Sequence, residues 1–89
     1  MSIVLLQFVL LMLLQKKLQC CKSFLKIFAE NFKVLRKQKG FTQEDLAYES
    51  GITLSQIARI ETAKINPTIC TLKILAQTLG VPLKEMFDF

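Results

Sequence analysis

FTQEDLAYESGITLSQIARIE, residues 41–61, decides how this chain folds. The segment reads as two short helices joined by a tight turn, each opened by a threonine. Thr42 with Asp45 has the T-x-x-[D/E] spacing of a capping box, and Thr53 with Gln56 has the T-x-x-Q spacing. In such a box the hydroxyl accepts from a backbone N–H one turn on, and the later side chain reaches back to the N–H of the cap. An apolar residue precedes each cap, Phe41 and Ile52, placed to staple to Leu46 and Ile57 respectively. Gly51 stands where the first helix must stop and the chain turn through positive φ, which glycine does without steric cost.

On the second of these helices Ile57 and Ile60 are the pair that must face a core. Helical geometry then turns Leu54, Ser55, Ala58, Arg59 and Thr62 outward. A face of small residues around one arginine slides close to base edges. A guanidinium there suits guanine O6 and N7, Leu54 and Ala58 suit thymine methyls, and Ser55 bonds either kind of edge. Arg59 has a plainer alternative, a phosphate contact or a solvated charge. Leu54 has one too, packing inward against the preceding helix. Gln43 opens the first helix, where backbone N–H groups and a side-chain amide grip one phosphate.

Upstream, Ser23 to Lys39 reads as a helix. Phe24, Phe28, Phe32 and Leu35, with Leu25 and Ile27, point at a core at helical spacing. Lys33, Arg36, Lys37 and Lys39 gather at its C-terminal end, where the helix dipole favours cations, and Gly40 ends it. Lys37 and Lys39 suit either solvent or phosphate. Downstream, Thr62 to Pro67 reads as a loop and Thr68 caps a fourth helix with Ile69, Leu72, Leu75, Ala76 and Leu79 on its inner face. Gly80 stops that helix, and Pro82 starts a last short one carrying Leu83, Met86 and Phe87. Met86, Phe87 and Phe89 are more apolar surface than so short a helix hides, which marks them as an interface.

The chain has 89 residues, room for one small domain near the lower limit of independent folding. Its formal charge of +5 favours an anionic partner. That surplus is uneven: residues 1–23 hold three lysines and no acid, which leaves +2 for the remainder. Where the charges lie therefore matters more than their sum. There is no histidine, the commonest general base and metal ligand. Cys20, Cys21 and Cys70 lack zinc-site spacing and read as reduced thiols, with Cys70 a small half-buried core residue. With no catalytic constellation or phosphate loop, the sequence points away from an enzyme, and it calls for no cofactor and no metal.

SIVLLQFVLLMLL, residues 2–14, is apolar all round apart from Gln7. As a membrane span it is short, covering about 20 Å of a hydrocarbon core of roughly 30 Å. As a signal peptide it lacks a basic residue before it and a small-residue exit after it. A start lying upstream of the native one, or a packing or oligomerisation segment, is the reading the sequence favours. Were it an anchor, Lys16, Lys17 and Lys22 would keep the following domain in the cytoplasm.

Thr42-Gln43, Leu46-Ala47, Gly51, Ile57, Arg59-Ile60-Glu61, Lys64, Asn66-Pro67-Thr68, Leu72, Leu75-Ala76 and Leu79-Gly80-Val81 form a linked pattern. By these marks residues 24–89 resemble the Cro/phage-repressor (Xre-type) helix-turn-helix family, in which the second helix of the pair enters a major groove. Residues 1–23 lie outside the resemblance. It implies an all-α, five-helix repressor-like bundle over residues 23–89, preceded by an apolar segment over residues 1–22. It also implies a cytoplasmic transcriptional regulator that binds double-stranded DNA sequence-specifically, as a dimer on a two-fold site. In such a protein Gln43 clamps a phosphate. Thr53, Gln56, Lys64 and Asn66 match further phosphate-contacting positions, and Arg36 with Glu61 matches a buried ion bridge. Two residues depart from the pattern: Ala63 stands where glycine is usual, so the loop there shifts or the helix runs on, and Pro82 replaces a capping serine. Fold does not settle function. The rival reading is an antitoxin-like subunit, or a membrane-tethered adaptor, that uses the same fold to hold a protein.

Overall fold

A 37-residue helix, α1 (Ser2–Gln38), forms the long axis of the molecule. The computed structural model describes the backbone of residues 2–89 and the side chains of residues 3–11 and 21–89; the side chains of Lys16, Lys17 and Cys20 lie outside the described residues. Four shorter elements follow: α2 (Gln43–Ser50), α3 (Leu54–Glu61), α4 (Ile69–Leu79) and a 3₁₀ helix, Leu83–Phe87. The described residues contain no strand, and the architecture is an all-α bundle.

The helix expected from Ser23 starts instead at Ser2. The reason is that residues 2–38 contain neither glycine nor proline and are rich in leucine and lysine, all good helix formers. Ser23 suits a cap, yet nothing before it stops a helix, so the helix continues through it. At about 1.5 Å per residue 37 residues span about 55 Å. The longest dimension of the molecule is 59 Å, so α1 is close to straight.

The core gathers beside the C-terminal part of α1. Phe32, Leu46, Ile57, Ile60, Leu75 and Met86 are fully buried, and Phe28, Leu35, Leu72, Ala76, Leu79 and Val81 complete the cluster. Phe41 and Ile52, the residues before the two caps, pack against it. Asn31 on α1 donates from Nδ2 to the backbone carbonyls of Met86, at 2.8 Å, and Glu85, at 3.3 Å. That contact ties the C-terminal 3₁₀ helix to α1, and no sequence signal announces it.

Several expected core residues are not in it. Phe24 and Ile27 are half exposed, because the bundle reaches only as far up α1 as Phe28. Ile69 and Cys70 open α4 beyond the edge of the core and are exposed as well. Met86, expected on an outer apolar patch, is instead completely buried. Phe87 and Phe89 lie partly against α1, with ring centroids 5.1 Å from Phe28 and 5.5 Å from Phe24 respectively.

Candidate nucleic-acid interface

Local chemistry sets the geometry of α2 and α3. Thr42 Oγ1 accepts from Asp45 N at 3.0 Å and Asp45 Oδ2 accepts from Thr42 N at 3.2 Å, a complete capping box. Thr53 Oγ1 accepts from Gln56 N at 3.2 Å, but the Gln56 side chain does not return the bond, so α3 has half a box. Between them Gly51 adopts φ 77° and donates its N–H to Ala47 O at 3.0 Å. A side chain at that φ would be strained, so the turn angle depends on this glycine.

The end of α3 settles the question raised by Ala63. Lys64 N donates to Arg59 O at 2.9 Å and Ala63 N to Ile60 O at 3.2 Å, the paired bonds of a Schellman cap. Ala63 takes φ 56°, the left-handed region. The loop keeps its shape and alanine bears the strain: the helix neither runs on nor shifts.

Arg36 and Glu61 form the expected ion pair, buried between α1 and α3. Arg36 Nε donates to Glu61 Oε2 at 2.6 Å and Nη2 to Oε1 at 3.0 Å. Arg36 Nη1 also donates to Phe41 O at 2.7 Å, at the chain leading into α2. Gln43 joins this network, donating from Nε2 to Glu61 Oε1 at 3.2 Å. One network thus clamps α1, α2 and α3 together. A fork of donors meeting a carboxylate in two places is the strong form of such a bond. No sequence signal marks the Gln43–Glu61 bond: the two stand eighteen positions apart, and only the packing of α2 on α3 brings them together.

On α3 the inward pair Ile57 and Ile60 has no exposed surface, whereas Leu54, Ser55, Arg59 and Thr62 are exposed and Ala58 is half-buried. Leu54 is 41% exposed and does not join the core cluster. Arg59 pairs with no carboxylate among the described residues. Thr62 Oγ1 donates to Ala58 O at 2.9 Å and is spent on its own helix. Thr53 is exposed at the start of α3 and Gln56 half-buried one turn in. Lys64 is exposed just past the Schellman cap, while Asn66 is exposed but borders an apolar groove toward α1.

Residues 32–86 match the family model described as helix-turn-helix (HTH_3). The chain is 41% identical over 61 residues to the HTH-type transcriptional regulator y4dJ of Sinorhizobium fredii, covering 68% of this chain and 79% of that protein. It is 40% identical over 57 residues to the HTH-type transcriptional regulator SlrR of Bacillus subtilis, covering 63% of this chain but 38% of the relative. The crystal structure of the restriction-modification controller protein C.AhdI from Aeromonas hydrophila superposes with a TM-score of 0.68 at 31% identity, covering 73% of this chain and 97% of that one. Fold, capped helix pair and likenesses together define a DNA-binding transcriptional regulator. The chain belongs to the helix-turn-helix family.

Proposed function

We propose that the protein binds duplex DNA sequence-specifically, with α3 in the major groove, as a cytoplasmic dimer on a two-fold site. The observation that carries the reading is the split of α3: Ile57 and Ile60 are fully buried while Leu54, Ser55 and the unpaired Arg59 face outward. Arg59 reads a guanine edge; Leu54 and Ala58 meet thymine methyls, and Ser55 bonds a base edge. Gln43, Thr53, Gln56, Lys64 and Asn66 hold the phosphate backbone and set the register. Glu61 occupies one N–H of the Gln43 amide and so fixes the amide's direction, which leaves the other N–H for a phosphate.

The test is selection of bound duplexes from a random pool, followed by binding of variants to the selected site and its single-base changes at two salt concentrations. Arg59→Ala is expected to cost about 1–3 kcal/mol on the selected site and to relax preference at one base pair per half-site. Gln43→Ala is expected to weaken selected and random duplexes by similar factors with the salt slope unchanged, because glutamine places no cation on a phosphate. If Arg59→Ala weakens every duplex alike and flattens the slope by about one unit, Arg59 grips a phosphate and does not read a base.

A further inference from the structure

Two apolar surfaces of this chain lack a partner, and they match. One is the first part of α1, where Ile3, Val4, Leu5, Leu6, Phe8, Val9, Leu10 and Leu11 are all 47–72% exposed. The other is a groove of about 600 Å³ between α1 and the start of α4, walled by Phe24, Leu25, Phe28, Ile69, Leu72 and Phe87. No helix among the described residues is long and apolar enough to cross a membrane.

We infer that a second copy of this chain covers both: two α1 helices pair antiparallel, and the first part of each lies in the groove of the other. The dimensions fit. A crossing midway between residues 11 and 21 lays residues 4–11 of one copy beside residues 21–28 of its partner, because both stretches lie at the same rise from the crossing. Residues 21–28 supply the α1 wall of the groove. At about 100° per residue, Ile3, Leu6 and Leu10 continue the helix face that carries Phe28, Phe32 and Leu35. The stripe that builds the bundle core therefore runs on past the bundle, and a partner helix extends the core along it.

The area fits too. A compact monomer of 10.2 kDa exposes about 5,300 Å² by the usual scaling of surface with mass, whereas this chain exposes 6678 Å². The surplus, about 1,400 Å², exceeds the roughly 800 Å² that each partner loses in an interface of ordinary size. The contact is isologous, groove to arm and arm to groove, so it closes at two copies. This assigns a surface to the dimer proposed above and rests on that reading.

Sedimentation of the full chain tests it, with helicity checked for every variant. Leu6→Lys with Leu10→Lys alters only exposed residues of the arm; Ile69→Lys alters only an exposed residue of the groove. Each is expected to leave the helices intact and to weaken self-association at least about 30-fold, as loss of a central apolar anchor does. With Cys20 and Cys70 replaced by serine, Leu10→Cys is expected to form an intermolecular disulfide with Cys21 under mild oxidation. A wild-type chain that stays monomeric at DNA-binding concentrations overturns the dimer as well as its surface. A dimer that survives both sets of lysines, or fails to cross-link, keeps the dimer and overturns this surface. Arm-dependent binding to phosphatidylcholine–phosphatidylglycerol vesicles by a chain that remains monomeric overturns it in favour of lipid.

Discussion

The two ends of α1 follow opposite rules although they belong to one helix. From Phe28 onward its side chains separate into a buried face, Phe28, Phe32, Leu35 and Arg36, and an exposed face, Lys33, Val34 and Lys37. From Ile3 to Leu11 every side chain is exposed, although all but Gln7 are apolar. Helix formation needs only good local propensity, which both ends have. Burial needs a second element, and only the later end meets α3 and the 3₁₀ helix. The contrast shows that an apolar helix is not thereby a core helix; the segregation of its residues and the presence of a neighbour decide.

The sharpest way to break this contrast is to truncate one phenylalanine in each end. Phe32→Ala removes a completely buried ring and is expected to cost about 3–5 kcal/mol in urea unfolding. Phe8→Ala, under dilute conditions, is expected to change stability by less than about 0.5 kcal/mol. Equal costs at the two sites would mean that residues 3–11 belong to the core of a single chain.

Next in size comes the charged part of the buried face. Glu61→Ala strands the Arg36 guanidinium in the interior and is expected to destabilise by about 3 kcal/mol. Replacing both partners together, Arg36→Met with Glu61→Leu, should restore much of that loss, because no unpaired charge remains. A double variant as unstable as the single would show that the bond from Arg36 to Phe41 O, and not the ion pair, holds α1 to the helix pair.

A smaller gain is expected at the end of α3. Ala63→Gly relieves the left-handed strain of alanine, about 1–2 kcal/mol, against a loosening of the unfolded chain of about 0.4–1 kcal/mol. The net is a stabilisation of roughly 0.5–1 kcal/mol, read as a raised urea midpoint with unchanged slope. Destabilisation would mean that the methyl group makes a packing contact worth more than the strain. The smallest effect belongs to the whole first segment. A chain beginning at Lys22 is expected to fold cooperatively within about 0.5 kcal/mol of the full chain at dilutions where both are monomeric. A chain unfolded without residues 1–21 would place the domain boundary upstream of Ser23.

Much of the fold was legible because its signals are local. Thr42, Gly51, Thr53 and Thr68 act within one turn of themselves, so their roles follow from spacing alone. Ile57, Ile60, Leu72 and Leu75 repeat at helical period, which states which face is inward. The same period on α1 misled at Phe24 and Ile27, since periodicity tells which way a residue points and not whether anything stands opposite. The outward set Leu54, Ser55, Ala58 and Arg59 followed from the inward pair. The bond from Gln43 to Glu61 and the anchoring of Met86 by Asn31 did not follow. They join residues far apart in the chain, and no pattern in either stretch encodes the meeting.

By itself the sequence determined the helix pair, its caps, its turn and the face it presents, because caps, turns and helical period are chosen by neighbours in the chain. It also determined that residues 2–14 have no polar side. Only the tertiary structure decided that Ala63 would hold a left-handed angle, and that Arg36, Glu61 and Gln43 would meet in one network. Only there did the core stop at Phe28, leaving an apolar groove beside an apolar arm. Those outcomes depend on which surfaces remain after packing, a sum over the whole chain that no single stretch of it contains.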